Sequence, residues 1–144
     1  IIAAQNYLAA YLNVRQLSFG LTDMAWHTIT EPFEGDVEQF EVASMAPTQV
    51  LPVVPGTAMA PAFGHIFSGG YAAGYYGYKW AEVLEADAFS LFKEKGIFNR
   101  EVSGSFRENI LSKGGTEHPM ELYVRFRGHK PETRALIEKM GLGK

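Results

Sequence analysis

The sequence predicts an all-α protein, an irregular assembly of about five to seven helices that forms one region over residues 1–144. Apolar residues recur at helical spacing in several segments, and no segment has the strict apolar and polar alternation of a strand. Glycine and proline stand where such segments end and begin. The chain contains no internal repeat, and nothing in its composition indicates a second domain.

Three helices are predicted before residue 45. A short helix is expected from Ile2 to Tyr11, and Asn13 is a suitable cap for a second helix from Val14 to about Thr28. The third is expected from Asp36 to Ser44, because Asp36 is a favoured N-cap and further acidic residues follow in its first turns. The expected buried side of the second helix consists of Leu17, Leu21, Met24, Ala25 and Ile29.

Metal binding is one interpretation of another face of the second helix. Asp23, His27 and Glu31 are spaced i, i+4, i+8, which would align three potential ligands. Pro32 limits the helix before Glu31. A hydrogen-bonded histidine beside a solvated acidic edge is therefore the favoured interpretation, and no metal-ligating residue is assigned.

The chain from Pro47 to Phe63 is rich in proline and apolar residues, which predicts an irregular segment that packs against an upstream part of the protein and is partly disordered without it. Four helices are then expected: a central helix from about Tyr71 to Lys95, ended by Gly96; one from Ser103 to Ser112; one from Pro119 to Phe126, stopped by Gly128; and a last one from Pro131 to Gly141.

Composition excludes several functional classes. The net charge of −3 and the pI near 5.8 leave no basic footprint, so neither nucleic acid nor an anionic membrane is an expected partner. There is no cysteine, hence no disulfide framework or thiol nucleophile. No apolar run reaches the roughly 18 residues that a membrane span needs. We expect a cytoplasmic protein, or a periplasmic one if upstream sequence carries a signal.

A glycine- and tyrosine-rich segment at residues 65–80 is the most unusual part of the chain. In a helix, the spacing of Tyr71, Tyr75 and Tyr78 would place three phenols within an arc of roughly 60°. Aromatic residues at this spacing often belong to a core. However, each buried phenol needs a hydrogen-bond partner, and glycine-rich sequence is poor scaffold but suits a loop around a substrate.

This segment closely resembles that of the thimet oligopeptidase family of zinc metallopeptidases, which includes oligopeptidases and peptidyl-dipeptidases. The resemblance is specific and continues along the chain. The residues that carry it are HIFSGGYAAGYYGYKW at 65–80, AEVLEADAF at 81–89, GIFNR at 96–100, NILSKGG at 109–115, PMEL at 119–122, FRG at 126–128 and MGL at 140–142.

The resemblance implies roles for individual residues in peptide hydrolysis. Tyr78 would stabilise the oxyanion, Tyr71 would contact the substrate backbone near the scissile bond, and Tyr75 would assist binding. His65 would orient or stabilise the same tetrahedral species. The remaining substrate-binding residues implied by the resemblance, which would let the segment close over the peptide, are Gly69, Gly70 and Gly74.

The zinc-binding H-E-x-x-H pattern of that family does not occur in this sequence. We therefore interpret the chain as a C-terminal piece of a zincin-like helical peptidase, inactive and metal-free by itself. Its expected partners are a short peptide substrate and the upstream catalytic part that holds the zinc. Endopeptidase and dipeptidyl carboxypeptidase action both stay open. The alternative is a non-catalytic helical module that binds peptides or other proteins.

Overall fold

The structure is a computed structural model that describes residues 2–143. Between these residues the regular elements are all helical, which confirms the predicted all-α class. The α-helices are α1 (Ile2–Gln5), α2 (Ala9–His27), α3 (Val37–Met45), α4 (Gly64–Phe67), α5 (Gly77–Lys95), α6 (Arg100–Phe106), α7 (Pro119–Arg127) and α8 (Arg134–Lys139).

The chain divides into two compact units, one up to Lys79 and one from Trp80 onward. The first unit contains α1 to α4, and the second contains α6 to α8; α5 contributes residues to both. Within residues 2–143, no helix combines the length and the apolar character that crossing a bilayer requires.

The start of α2 differs from the prediction. α1 ends at Gln5, and Leu8 adopts a left-handed conformation with a φ of 57° before α2 begins at Ala9. Asn13 therefore lies inside α2, where its side-chain amide donates to the carbonyl of Ala9. The predicted cap at Asn13 is wrong, because the break in the helical pattern falls earlier in the chain.

The buried face of α2 was also predicted on the wrong side. Leu17, Leu21 and Met24 are exposed, whereas the buried residues are small or polar. Thr22 is wholly buried, and its hydroxyl lies 3.0 Å from that of Ser44 in α3. Small side chains let other segments approach α2 closely, and the buried set is Ser18, Gly20, Thr22 and Asp23.

The predicted cap of α3 is confirmed, since the Asp36 carboxylate accepts a hydrogen bond from the amide of Gln39. α3 also holds the proline-rich segment. The buried Glu41 carboxylate accepts hydrogen bonds from the amides of Met59 and Ala60. The backbone of this irregular segment is therefore hydrogen-bonded to α3 shortly before the chain enters α4, which contains His65.

The core of the second unit is built from α5, α6 and α7. Ala88, Val102, Tyr123 and Phe126 form a buried cluster, with partly buried aromatic and aliphatic side chains around it. Tyr76 and Trp80, just before and within the first turn of α5, are exposed. Val83 and Ala88, further along α5, are buried.

Helix ends in the second unit follow local sequence. Gly96 and Gly128 have φ values of 104° and 90° directly after α5 and α7, as predicted. α6 begins at Arg100, earlier than Ser103, because Asn99 caps it, and it continues as a π-helical turn over Arg107–Leu111. α8 begins three residues after Pro131, at Arg134.

Candidate active site

The tyrosine-rich segment is not helical at its start. Residues 68–76 form turns, and α5 begins at Gly77, so the prediction of a helix from Tyr71 is wrong. Ala73 has a φ of 53°, which a right-handed helix cannot contain. Glycine also disfavours helix by about 1 kcal/mol per residue relative to alanine. The first turn of α5 still carries Tyr78.

The turns nevertheless bring the predicted site residues together. His65 Nε2 lies 2.8 Å from the hydroxyl oxygen of Tyr78. The Tyr71 ring stacks on both of these side chains, with centroid distances of 4.9 Å to His65 and 5.0 Å to Tyr78. Tyr75 lies 5.1 Å from Tyr78 between ring centroids. We call His65, Tyr71, Tyr75 and Tyr78 the tyrosine cluster.

The phenol of Tyr78 is held in its protonated form. Its hydrogen bond with Tyr71 is the largest cause, followed by desolvation and by the neighbouring phenols of Tyr71 and Tyr75. Together they raise the pKa of Tyr78 to about 12. Because Tyr78 is also 37% exposed, it is a neutral hydrogen-bond donor that a ligand can reach.

Tyr75 is fixed more firmly than the other phenols. The side-chain amide of Gln16 in α2 donates to its hydroxyl at 3.1 Å. Its ring meets Phe19 and Phe63 edge to face, at centroid distances of 6.0 and 5.3 Å. Because its hydroxyl oxygen already accepts a hydrogen bond from Gln16, Tyr75 contributes a fixed aromatic ring to the cluster as well as a hydroxyl proton.

The three predicted substrate-binding glycines have different surroundings. A Cβ on Gly69 would lie 2.8 Å from the carbonyl oxygen of His65, so the backbone there depends on glycine. A Cβ on Gly70 would meet nothing within 4 Å, and one on Gly74 would make an ordinary contact with Tyr71 at 3.5 Å. The space beside Gly70 is therefore open to a ligand within the described structure.

Asp23 is the site residue that sequence reasoning misassigned. Its side chain is fully buried, and its two carboxylate oxygens accept from the amides of Ala73 and Tyr75, both at 2.9 Å. His27 Nδ1 lies 2.8 Å from Asp23 Oδ1. The sequence feature that could have indicated its burial is a lone aspartate among the small residues of an apolar helix. Its partner Ala73 could not be identified from sequence, because fifty residues separate the two.

The described residues do not assemble a metal site. Across residues 2–143, no three histidine, aspartate or glutamate side chains gather where they could share a metal ion. Glu31 lies beyond the end of α2 and is exposed. Asp23 and His27 are hydrogen-bonded to each other, as the sequence favoured for the histidine, but the predicted solvated acidic edge is wrong at Asp23, which is buried.

Comparison with known proteins gives a family match over nearly the whole chain. The model of peptidase family M3 matches residues 1–142. Oligopeptidase A of Escherichia coli strain K12 is 49% identical over 143 residues, which cover 99% of this chain and 21% of that protein. Dipeptidyl carboxypeptidase of the same strain is 41% identical over 128 residues, covering 88% of this chain and 19% of that protein.

A plant protein is similar over the same extent. The probable cytosolic oligopeptidase A of Arabidopsis thaliana is 40% identical over 147 residues, covering 99% of this chain and 21% of that protein. The chain thus spans about a fifth of the length of these relatives.

Proposed function

The chain belongs to peptidase family M3, and from this membership we propose that it supplies the tyrosine and histidine contacts for hydrolysis of peptide bonds in short peptides. The observation that carries the proposal is the tyrosine cluster, in which a neutral phenol is hydrogen-bonded to an imidazole at 2.8 Å and is open to solvent. In this role the chain is one part of an oligopeptidase or dipeptidyl carboxypeptidase.

Tyr78 is the proposed oxyanion donor. When a nucleophile adds to a peptide carbonyl, negative charge develops on the carbonyl oxygen, and one donor already in place contributes roughly 3 to 4 kcal/mol. A pKa of about 12 keeps the Tyr78 proton in place at neutral pH. His65 would donate its Nε2 proton to the phenol oxygen and so orient the hydroxyl. When substrate binds, the phenol proton would turn from Tyr71 to the carbonyl oxygen of the substrate.

The other members of the cluster bind the peptide in this proposal. Tyr71 is 41% exposed and stacked on His65, so its hydroxyl can turn to the substrate backbone near the scissile bond. The Tyr75 ring would form one wall of the binding site. The open space beside Gly70 would receive the peptide, with Gly69 and Gly74 shaping the turns that approach it.

The zinc ion is assigned to residues outside this chain. The sequence lacks the H-E-x-x-H ligand pattern, so in this proposal the chain would contact the substrate rather than the metal. The partner that holds the zinc would be the upstream catalytic part of the same protein, and the exposed Leu17, Leu21 and Met24 support a surface made to pack against it. The chain alone is then inactive, and the whole protein would act in the cytoplasm, with the periplasm as the alternative.

Replacing one hydroxyl in the whole protein tests the proposal. We expect Tyr78→Phe to lower kcat about 10²- to 10³-fold with little change in KM, measured with a quenched fluorescent oligopeptide. Tyr76→Phe is the matched control, because it removes an exposed phenol hydroxyl next to Tyr75 that the proposal does not use. A kcat loss below about threefold for Tyr78→Phe would remove Tyr78 from catalysis. A change in KM alone would favour the non-catalytic peptide-binding module.

A further inference from the structure

A buried carboxylate in α2 is tied to the backbone of the tyrosine-rich segment. Asp23 is fully buried, and each of its oxygens accepts from one backbone amide of that segment. A buried carboxylate is tolerated only when hydrogen bonds replace the lost water, and here Ala73 and Tyr75 supply them. The nearby His27 ring also contacts Oδ1.

The segment needs such an anchor because its own conformation is unfavourable. Ala73 has left-handed backbone dihedral angles. These angles are unfavourable for a residue with a Cβ and persist only where the surrounding structure imposes them. Residues 69–73 are exposed, so little apolar packing holds them. The Asp23 oxygens accept hydrogen bonds from the amide of this left-handed residue and from that of Tyr75, two positions later, and thus fix the turn between Tyr71 and Tyr75.

We propose that Asp23 is the positioning residue of the tyrosine cluster, holding the amides of Ala73 and Tyr75 so that the phenols of Tyr71, Tyr75 and Tyr78 meet at His65. Asp23 touches no substrate in this arrangement and acts through the placement of the phenols. The inference rests on the proposed function for its catalytic consequence, whereas the anchoring itself can be measured without any activity.

The anchoring is tested by replacing Asp23 in the whole protein. Asparagine has nearly the same volume but only one acceptor, so its amino group would face one of the two backbone donors. We expect Asp23→Asn to lower kcat about 10- to 100-fold, because misplacement of about 1 Å is enough for such a loss, and to raise KM as well, because Tyr71 and Tyr75 bind the peptide in the proposed function. Asp23→Ala, which has no acceptor, should lose at least as much.

A double-mutant cycle separates positioning from general damage to the fold. If Asp23 acts through Tyr78, Asp23→Asn should reduce kcat by less than about threefold when Tyr78→Phe is already present. Losses that multiply in full would overturn the inference, because they would show that Asp23 acts independently of the phenol.

Hydrogen exchange measured by mass spectrometry provides the readout without activity. Asp23→Asn should accelerate exchange of the amides in residues 69–76 and leave residues 80–95 unchanged. Unchanged exchange in 69–76 would overturn the inference.

Glu41→Gln is the matched control, because Glu41 is also buried and also holds two backbone amides, those of Met59 and Ala60. It should accelerate exchange near residue 60 while kcat stays within about threefold; a loss equal to that of Asp23→Asn would overturn the inference.

The outcomes for the two proposals are distinct. If Tyr78→Phe alone costs less than about threefold in kcat, the proposed function fails, and the exchange of residues 69–76 still decides whether Asp23 is the anchor. If Tyr78→Phe costs the expected factor while Asp23→Asn changes neither kcat nor exchange, only the role of Asp23 fails.

Discussion

His65 Nε2 and the Tyr78 hydroxyl oxygen lie 2.8 Å apart, although thirteen positions separate the two residues in sequence. His65 belongs to the single turn of α4, and Tyr78 to the first turn of α5. The turns between these helices fold back so that Tyr71 stacks on both side chains. The phenol is thereby held by one imidazole and one neighbouring phenol.

The contact predicts that His65 and Tyr78 act as a unit. His65→Leu removes the imidazole that orients the phenol, and we expect kcat to fall about 10- to 100-fold at neutral pH. When Tyr78→Phe is already present, the same change should cost less than about threefold, because the oriented hydroxyl is gone. Steady-state kinetics of the two single variants and the double variant provide the measurement.

His65→Gln is the control for this prediction, since a glutamine amide can still donate to the phenol oxygen. It should retain more activity than His65→Leu. Equal losses of kcat in His65→Gln and His65→Leu would show that the imidazole does more than orient the phenol. If the kcat losses of His65→Leu and Tyr78→Phe multiply in full in the double variant, the two residues do not act as a unit.

The glycines provide a matched pair on adjacent positions. Gly69→Ala would place a Cβ 2.8 Å from the His65 carbonyl oxygen, whereas Gly70→Ala meets nothing within 4 Å. We expect Gly69→Ala to lower the free energy of unfolding by more than about 1 kcal/mol, and Gly70→Ala to leave it unchanged or raise it by up to about 1 kcal/mol.

Denaturant unfolding of both variants measures the difference, with the unsubstituted protein as reference. Equal destabilisation by the two alanines would contradict the backbone arrangement at residues 65–70. If Gly70→Ala is stable but has a raised KM for peptide, the open space beside Gly70 is the one that the substrate occupies.

Local signals in the sequence predicted much of the fold. The Asp36 cap and the glycines after α5 and α7 are found where they were expected, because each acts through neighbours one turn away. Helical spacing also identified the segments that became α5 and α7. The buried face of α2 was missed, because apolar character predicted Leu17 and Leu21 inside while the structure buries Ser18 and Thr22.

The proximity of the three tyrosines was predicted from helical spacing, but the structure achieves it in another way. Helical spacing placed Tyr71, Tyr75 and Tyr78 on one face, yet turns and not a helix bring Tyr71 and Tyr75 to Tyr78. The interactions that fix these turns come from α2, through Asp23 and Gln16. Pairings across fifty or more residues depend on the folded chain, and no local pattern in a single sequence carries them.

The second unit contains a buried phenol whose ionisation should limit stability at high pH. The Tyr123 hydroxyl donates to Asp87 Oδ2, and Arg127 Nε lies 3.6 Å from the same oxygen. Burial raises the pKa of Tyr123 above its usual value, and the hydrogen bond to Asp87 adds to the effect. The folded protein therefore keeps this proton at a pH where the unfolded chain has lost it.

The sign of the pH dependence follows from that difference. The stability that the protonated phenol provides is present in full below about pH 10, the usual tyrosine pKa, and is lost as the pH rises beyond it. Tyr123→Phe should reduce the free energy of unfolding by about 1 to 3 kcal/mol at pH 7, because the buried Asp87 carboxylate loses a donor. Above about pH 10 the free energy of unfolding of Tyr123→Phe should fall less steeply with pH than that of the unsubstituted protein. Denaturant unfolding between neutral and alkaline pH measures both effects, with Tyr7→Phe at an exposed tyrosine as control; parallel curves would exclude Tyr123 as the titrating group.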